Sequence, residues 1–306
     1  MVDTAALNDA LAGGYLLVDY SLRGWGGTKT NREASDEVIA NHGTTKDAGR
    51  FLQNLLAGAD VELKTVKNRA NAIGVFIHSK TLPWSSNTVG ARRGTRLLAA
   101  VESFEFLKGL NQVKTEYDAS VSQLAAVWSQ RVTEAIGNLK GLANPNDYPS
   151  AADIIGLFGV SVEVKPVPRM SDFSRTNIPP ALADALGQRL AGQAQVQMSG
   201  ALDDLKGQVL KELQRIATQL GKAGAGEKTK LFDSLVTNMQ ALVGMMRSMN
   251  AGGNAELNAF ADKIETQLLT QPVEIYRNSP EKAAETATAA QAIALDATLA
   301  SIWSPV

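Results

Sequence analysis

The chain has 306 residues, 44% of them apolar and 20% charged, with a formal net charge of -1. That balance fits a folded globular protein and excludes both a disordered chain and a global electrostatic pull toward nucleic acid or membrane. There is no cysteine, which excludes disulfides, thiolate metal sites and a cysteine nucleophile.

In chain order, the N-terminus is acidic and lacks the basic stretch of a signal peptide, and no run of about 18 uncharged apolar residues occurs. The expectation is therefore a cytoplasmic protein of a bacterium or of a phage-infected host. Asp3 to Ala12 predicts a short helix capped by Asp3 or Thr4. In YLLVDYSLRGW, residues 15–25, alternation of Leu16, Val18, Tyr20 and Leu22 predicts a strand that runs into a loop at Gly24, Gly26 and Gly27. Helices are expected at about 31–41, 46–57 and 61–79, and the glycine- and proline-broken stretch 81–96 reads as loop.

From Val101 to about Lys140 the pattern is helical. Val113, Tyr117, Val121, Leu124, Trp128, Val132, Ala135 and Leu139 make one apolar stripe, which NPNDYP at 144–149 ends. Alternating Val160, Val162 and Val164 predict a second strand, held to an edge or an end by Pro166 and Pro168. Pro179 and Pro180 open a long helical region. Leu205, Val209, Leu213, Ile216 and Leu220 form one stripe, and Leu231, Leu235, Met239, Leu242, Met246 and Met249 another. A glycine-rich turn joins them into an αα-hairpin, most simply an antiparallel coiled coil. Further helices are expected at about 255–269 and 280–302.

The fold class read from these elements is mostly α: a helical protein with a small two- or three-stranded sheet and a long antiparallel helical hairpin. Three divisions follow: a mainly helical region with the sheet and a basic loop (1–178), the hairpin (179–271) and an alanine-rich C-terminal helix (272–306).

GKAGAGEKTK, residues 221–230, superficially resembles a phosphate-binding loop. Glu227 occupies the lysine position, Lys228 and Thr229 are displaced by one, and a helix precedes the segment where a strand is required, so it reads as a hairpin tip. Histidine occurs only at His42 and His78, and no G-x-S-x-G is present. No catalytic residues, metal or cofactor are expected, and the reading is a non-enzyme. The methionines at 239, 245, 246 and 249 fit either core filling or an adaptable partner groove.

One charge cluster stands out. Between Val61 and Ala100 lie Lys64, Lys67, Arg69, Lys80, Arg92, Arg93 and Arg96, against Glu62 alone. With Trp84 beside the last three, and with Arg23, Trp25, Lys29 and Arg32 in and after the glycine loop, these residues can track a phosphate backbone and stack a base. They can equally dock an acidic protein surface. The candidate partner or nucleic-acid contacts are therefore Arg23, Trp25, Lys29, Lys64, Lys67, Trp84, Arg92, Arg93 and Arg96.

NRANAIGVFIHSKTLPW (68–84), VEVKPVPRMSDFSR (162–175) and the early LRGWGGTK together resemble an uncharacterised domain family of phages and integrative elements. The resemblance covers residues 14–178, with a helical remainder of looser similarity. Members are often encoded beside a MoxR-type AAA ATPase and a von Willebrand A-type protein. No catalytic residues come with the resemblance; what it implies is a phage or mobile-element accessory, with any nucleotide held by an ATPase partner. The leading expectation is a non-enzymatic, self-associating adaptor or scaffold, a homo-oligomer built through its coiled arms. The alternative is a single-stranded DNA- or RNA-binding accessory of phage replication or recombination.

Overall fold

The computed structural model describes residues 4–45, 47, 49–84, 94–175, 177–297 and 300–303. In chain order the elements are α1 (Thr4–Gly14), β1 (Tyr15–Arg23), β2 (Thr28–Thr30), α2 (Arg32–His42), β3 (Leu52–Asn54), α3 (Val61–Lys80), β4 (Leu82–Pro83) and β5 (Arg96–Ala99). They continue with α4 (Ser103–Leu139), β6 (Gly159–Pro166), α5 (Pro180–Gly224), α6 (Ser234–Ser248), α7 (Ala255–Leu268), α8 (Val273–Asn278) and α9 (Pro280–Asp296). The chain is 68% helical, which places it in the mostly-α class with a small sheet.

Two compact units divide the chain, both discontinuous in sequence. Unit 1 takes Met1–Tyr20, His78–Phe106 and Val162–Val306; unit 2 takes Ser21–Ile77 and Leu107–Ser161.

Unit 1 is built on α5. Pro180 sits in its first turn, where the missing amide costs nothing, and the predicted stripe Leu205, Val209, Leu213, Ile216 and Leu220 is buried along its length. Each such side chain contributes roughly 1.5–3 kcal/mol on burial. The partners are α6 and α9. Arg215 reaches Ser234, and Glu212 bonds Asn238, so α6 runs antiparallel to α5 after the turn at 225–233. A Cβ on Gly221 would meet Ala287 and one on Gly224 would meet Ala284, so α9 is antiparallel as well. The Gly224 approach is the closest: its Cβ would lie 2.8 Å from Ala284 Cβ and 2.9 Å from the Ala284 backbone, a separation only glycine permits.

A predicted coiled coil leaves its outer seams open. Here the seams of both arms face a single core shared with α7, α9 and the inner face of the sheet. The reason lies in α9, whose Ala283, Ala287, Ala290 and Ile293 present a narrow apolar stripe that lies close against α5. The hairpin seam is therefore not the exposed surface on which self-association was expected to rest. Met239, Met245, Met246 and Met249 fill this core.

The sheet has the order β4-β5-β1-β6. β1 pairs antiparallel with β5 from Tyr15↔Ala99 to Val18↔Arg96, and β4 adds through Leu82↔Leu97 and Pro83↔Arg96. The two strands read from alternation, β1 and β6, are neighbours, and Pro166 ends β6 at the sheet edge. β4 lies in the stretch read as loop and β5 begins at its last residue; at two and four residues they are too short for a period-two signal.

In unit 2 the long α4 buries Tyr117, Val121, Leu124, Trp128 and Ala135 of its predicted stripe. The helix expected at 46–57 is absent among the described residues. Leu52–Asn54 instead form β3 and pair with β2, where Gln53 is buried through side-chain hydrogen bonds that a helix there would not offer.

Candidate functional site

β1 delivers the chain into the glycine loop of unit 2. Gly27 is left-handed (φ +69), and a Cβ on it would lie 2.6 Å from Leu63 Cδ2, so this turn needs glycine twice over. The turn lays β2 against β3 in the register Thr28↔Asn54, Lys29↔Gln53 and Thr30↔Leu52. Gln53 fastens the ribbon's inner face: its Nε2 donates to Leu142 O at 2.9 Å, and its Oε1 accepts from Asn31 Nδ2 at 2.8 Å. Asn31 also caps α2, its Oδ1 accepting from the Ala34 amide at 3.0 Å. Between this corner and the turn at 141–147 lies a polar cleft of about 960 Å³, whose charged lining is Lys29, Arg32, Glu33, Glu37 and Asp147.

Most of the predicted basic residues are engaged. Lys29 pairs with Asp147. Lys64 pairs with Asp60 at 2.9 Å, and Arg69 with Glu116 at 2.5 Å. Lys67 donates to Gly26 O at 2.8 Å, a neutral acceptor, and makes no ion pair among the described residues. Arg23 is exposed, its guanidinium beside Gly159. Trp25 is half-buried, and its ring and that of Trp128 meet in a T-shaped contact with centroids 5.2 Å apart. Trp128 Nε1 in turn donates to Pro149 O at 2.9 Å.

In unit 1, Trp84 is 7% exposed and belongs to the core, which corrects its reading as an exposed aromatic. Arg96 lies within β5, where its Nε and Nη2 donate to Thr81 Oγ1 and Thr81 O, both at 2.6 Å. Burial holds its pKa below the usual guanidinium value. It is a structural cation of the sheet and not a loop residue free to follow a phosphate chain. Arg92 and Arg93 lie outside the described residues. The predicted cluster thus divides between the two units.

Sequence reading missed the pairing beside Arg96. The Tyr20 hydroxyl lies 2.7 Å from His78 Nε2, with the rings edge-on. Burial, then the Arg96 charge, push the His78 pKa below its ordinary value, while Asp204 pulls it up. The Tyr20 hydroxyl and the His78 ring nitrogen share this hydrogen bond. Fifty-eight residues separate the two, and no local pattern carries such a contact. Among the described residues, no group of three or more His, Asp or Glu is placed to hold a metal ion, and no helix is long and apolar enough to cross a membrane.

A second exposed feature of unit 1 was not foreseen. The single 3-10 turn Ala100–Glu102 and the first turn of α4 raise Val101 and Phe104 into solvent, 82% and 74% exposed. A groove of about 240 Å³ is lined by Lys80, Glu102, Ala241, Gly244, Met245 and Ser248 of the same unit. Hydrophobic periodicity cannot distinguish this pair from core residues, because solvent exposure is decided by which neighbours the fold supplies.

Comparison with known proteins finds no matching family model, no matching curated protein and no matching solved structure.

Proposed function

We propose that the protein is a non-enzymatic adaptor that self-associates through the Val101–Phe104 surface of unit 1. The observation that carries the reading is the exposure of those two large apolar side chains on adjacent turns. Burying both on each of two copies supplies about 6–12 kcal/mol. Association costs about 4–15 kcal/mol, so the expected complex is weak and dependent on concentration. In this reading the seat of self-association moves from the hairpin seams, which the core consumes, to the start of α4. The phage-element resemblance of residues 14–178 adds a MoxR-type AAA ATPase as the class of partner that such an adaptor would serve.

Sedimentation velocity of the full chain from about 1 to about 100 µM tests the reading; at micromolar Kd the mass rises across that range. The expected result is a mass that increases with concentration and that Phe104→Asp returns to the monomer value. A clean monomer throughout, or a dimer indifferent to Phe104→Asp, overturns it.

A further inference from the structure

The β2–β3 ribbon has a polarity that its register makes explicit. Flanking the paired residues, the Leu55 amide donates to Gly27 O at 2.8 Å and the Asn31 amide donates to Phe51 O at 3.0 Å. In an antiparallel pair, inward and outward groups alternate residue by residue. Odd-numbered residues of β2 therefore face β3, and the N–H and C=O of Thr28 and Thr30 face the other way. Among the described residues nothing bonds to these four groups, and all three residues of β2 are exposed. The ribbon ends at β2.

Unsatisfied donors and acceptors repeating every second residue complement one kind of backbone, an extended strand. A helix spends its amides internally, and a nucleic acid offers acceptors at another spacing. Charge narrows the occupant further. At the Gly26 end, just before β2, the Gly26 carbonyl holds the Lys67 ammonium, whose charge no carboxylate meets among the described residues. At the Thr30 end, Arg32 is exposed and makes no hydrogen bond or ion pair among the described residues. Lys29, between them, is already neutralised by Asp147. Glu33 and Glu37 of α2 line the cleft, and Asp36 and Asp47 line a second hollow with Thr30, Arg32 and Arg50, but among the described residues none of these acids forms an ion pair with Arg32. Along β3, the opposite edge of the ribbon, Asn54 turns its side chain back onto the backbone, its Oδ1 accepting from the Leu56 amide at 3.1 Å.

We infer that the open edge of β2 receives an extended segment of a partner polypeptide, carrying acidic residues toward its two ends, which adds to the ribbon as a third strand. The backbone groups of Thr28 and Thr30 supply the pairing; Lys67 and Arg32 select the charge and the position. This docking edge lies in unit 2 and does not depend on the self-association surface of unit 1.

The probe is a fluorescein-labelled peptide of sequence EVTVTVE, titrated into the full chain at low and moderate salt and followed by anisotropy, with amide hydrogen exchange read at Thr28 and Thr30. Expected are saturable binding, slowed exchange at both threonine amides, and loss of binding when alternate peptide amides are N-methylated. That control leaves the protein untouched, so it remains decisive even if a variant folds poorly. The double variant Arg32→Gln/Lys67→Gln should weaken binding about fivefold, the sum of two exposed ion pairs of usual strength. Binding that survives N-methylation in both registers, or that leaves Thr28 and Thr30 exchange unchanged, overturns the inference. So does an absence of binding at low salt, or equal binding of a peptide with lysines in place of the glutamates. Competition at these same amides by a single-stranded oligonucleotide in preference to the peptide also overturns it.

Discussion

The two units use long helices in different ways. In unit 1, α5 is enclosed by α6, α9 and the sheet, and the core that results is mainly aliphatic and methionine, with aromatics such as Phe260 and Trp303 among them. In unit 2, α4 buries a similar stripe, but irregular segments surround it and their carbonyls are met by side chains. Gln53 donates to Leu142 O, Asn138 to Ala57 O, Tyr148 to Leu55 O and Trp128 to Pro149 O, all between 2.7 and 2.9 Å. A loop whose backbone groups are unpaired cannot be ordered cheaply. The difference teaches where recognition is affordable: the bundle's exposed apolar surface is carried by side chains such as Phe104, while unit 2 positions loops firmly enough to keep the β2 edge open.

The sharpest way to break this comparison is truncation in each unit. Leu213 of α5 and Leu124 of α4 are both essentially inaccessible. Leu213→Ala and Leu124→Ala should each cost about 2–5 kcal/mol in chemical denaturation, because both leave a cavity in a packed helix face. Hydrogen exchange should place the weakened amides in unit 1 for the first and in unit 2 for the second. If Leu124→Ala costs under about 1 kcal/mol, unit 2 is held by its polar bonds more than by its stripe.

Acid separates the two further. Arg131 forks onto Glu62, at 2.6 and 2.8 Å, and also meets Glu134. That hydrogen bonding holds the Glu62 carboxyl below its ordinary value. A carboxyl whose folded pKa is depressed contributes stability present above its unfolded value and lost as pH falls through the folded one. Between about pH 6 and about pH 3 the wild type should lose more stability than Glu62→Gln, which has no such proton to bind. Parallel curves for the two proteins would show that the fork is solvated and idle.

How much of this was legible follows from the range of each signal. The stripes of α4 and α5 were read correctly because 3.6-residue periodicity is local. β1 and β6 were found by alternation, whereas the two-residue β4 and three-residue β3 were not. β3 exists because Gln53 finds Asn31 and Leu142, contacts 22 and 89 residues away. The basic cluster shows the same limit. Composition counted Arg69 and Arg96 as free cations, but their partners Glu116 and Thr81 are chosen by the fold. Trp84 looked exposed because glycines follow it, and became core because β4 carries it onto the sheet. Lys67 and Arg32 were noticed as charges, but the open strand edge between them depends on a register no composition reveals.

The smallest effect is the most discriminating for the ion pairs of unit 2. Lys64 meets Asp60 one helical turn away, with the lysine side chain 68% exposed. An exposed pair of this kind gains little, because water screens it and two mobile side chains must be ordered to form it. Lys64→Ala should therefore change stability by no more than about 0.5 kcal/mol and leave peptide binding at β2 unaltered. The outcome separates two accounts of why unit 2 carries so many paired cations. A negligible cost means that the pairs tune surface charge, leaving cations without a carboxylate, Lys67 and Arg32 among them, to act at the β2 edge. A cost above about 1 kcal/mol would mean that the pairs act as a coupled network bracing the unit, and the selectivity of the β2 edge would then have to come from backbone pairing alone.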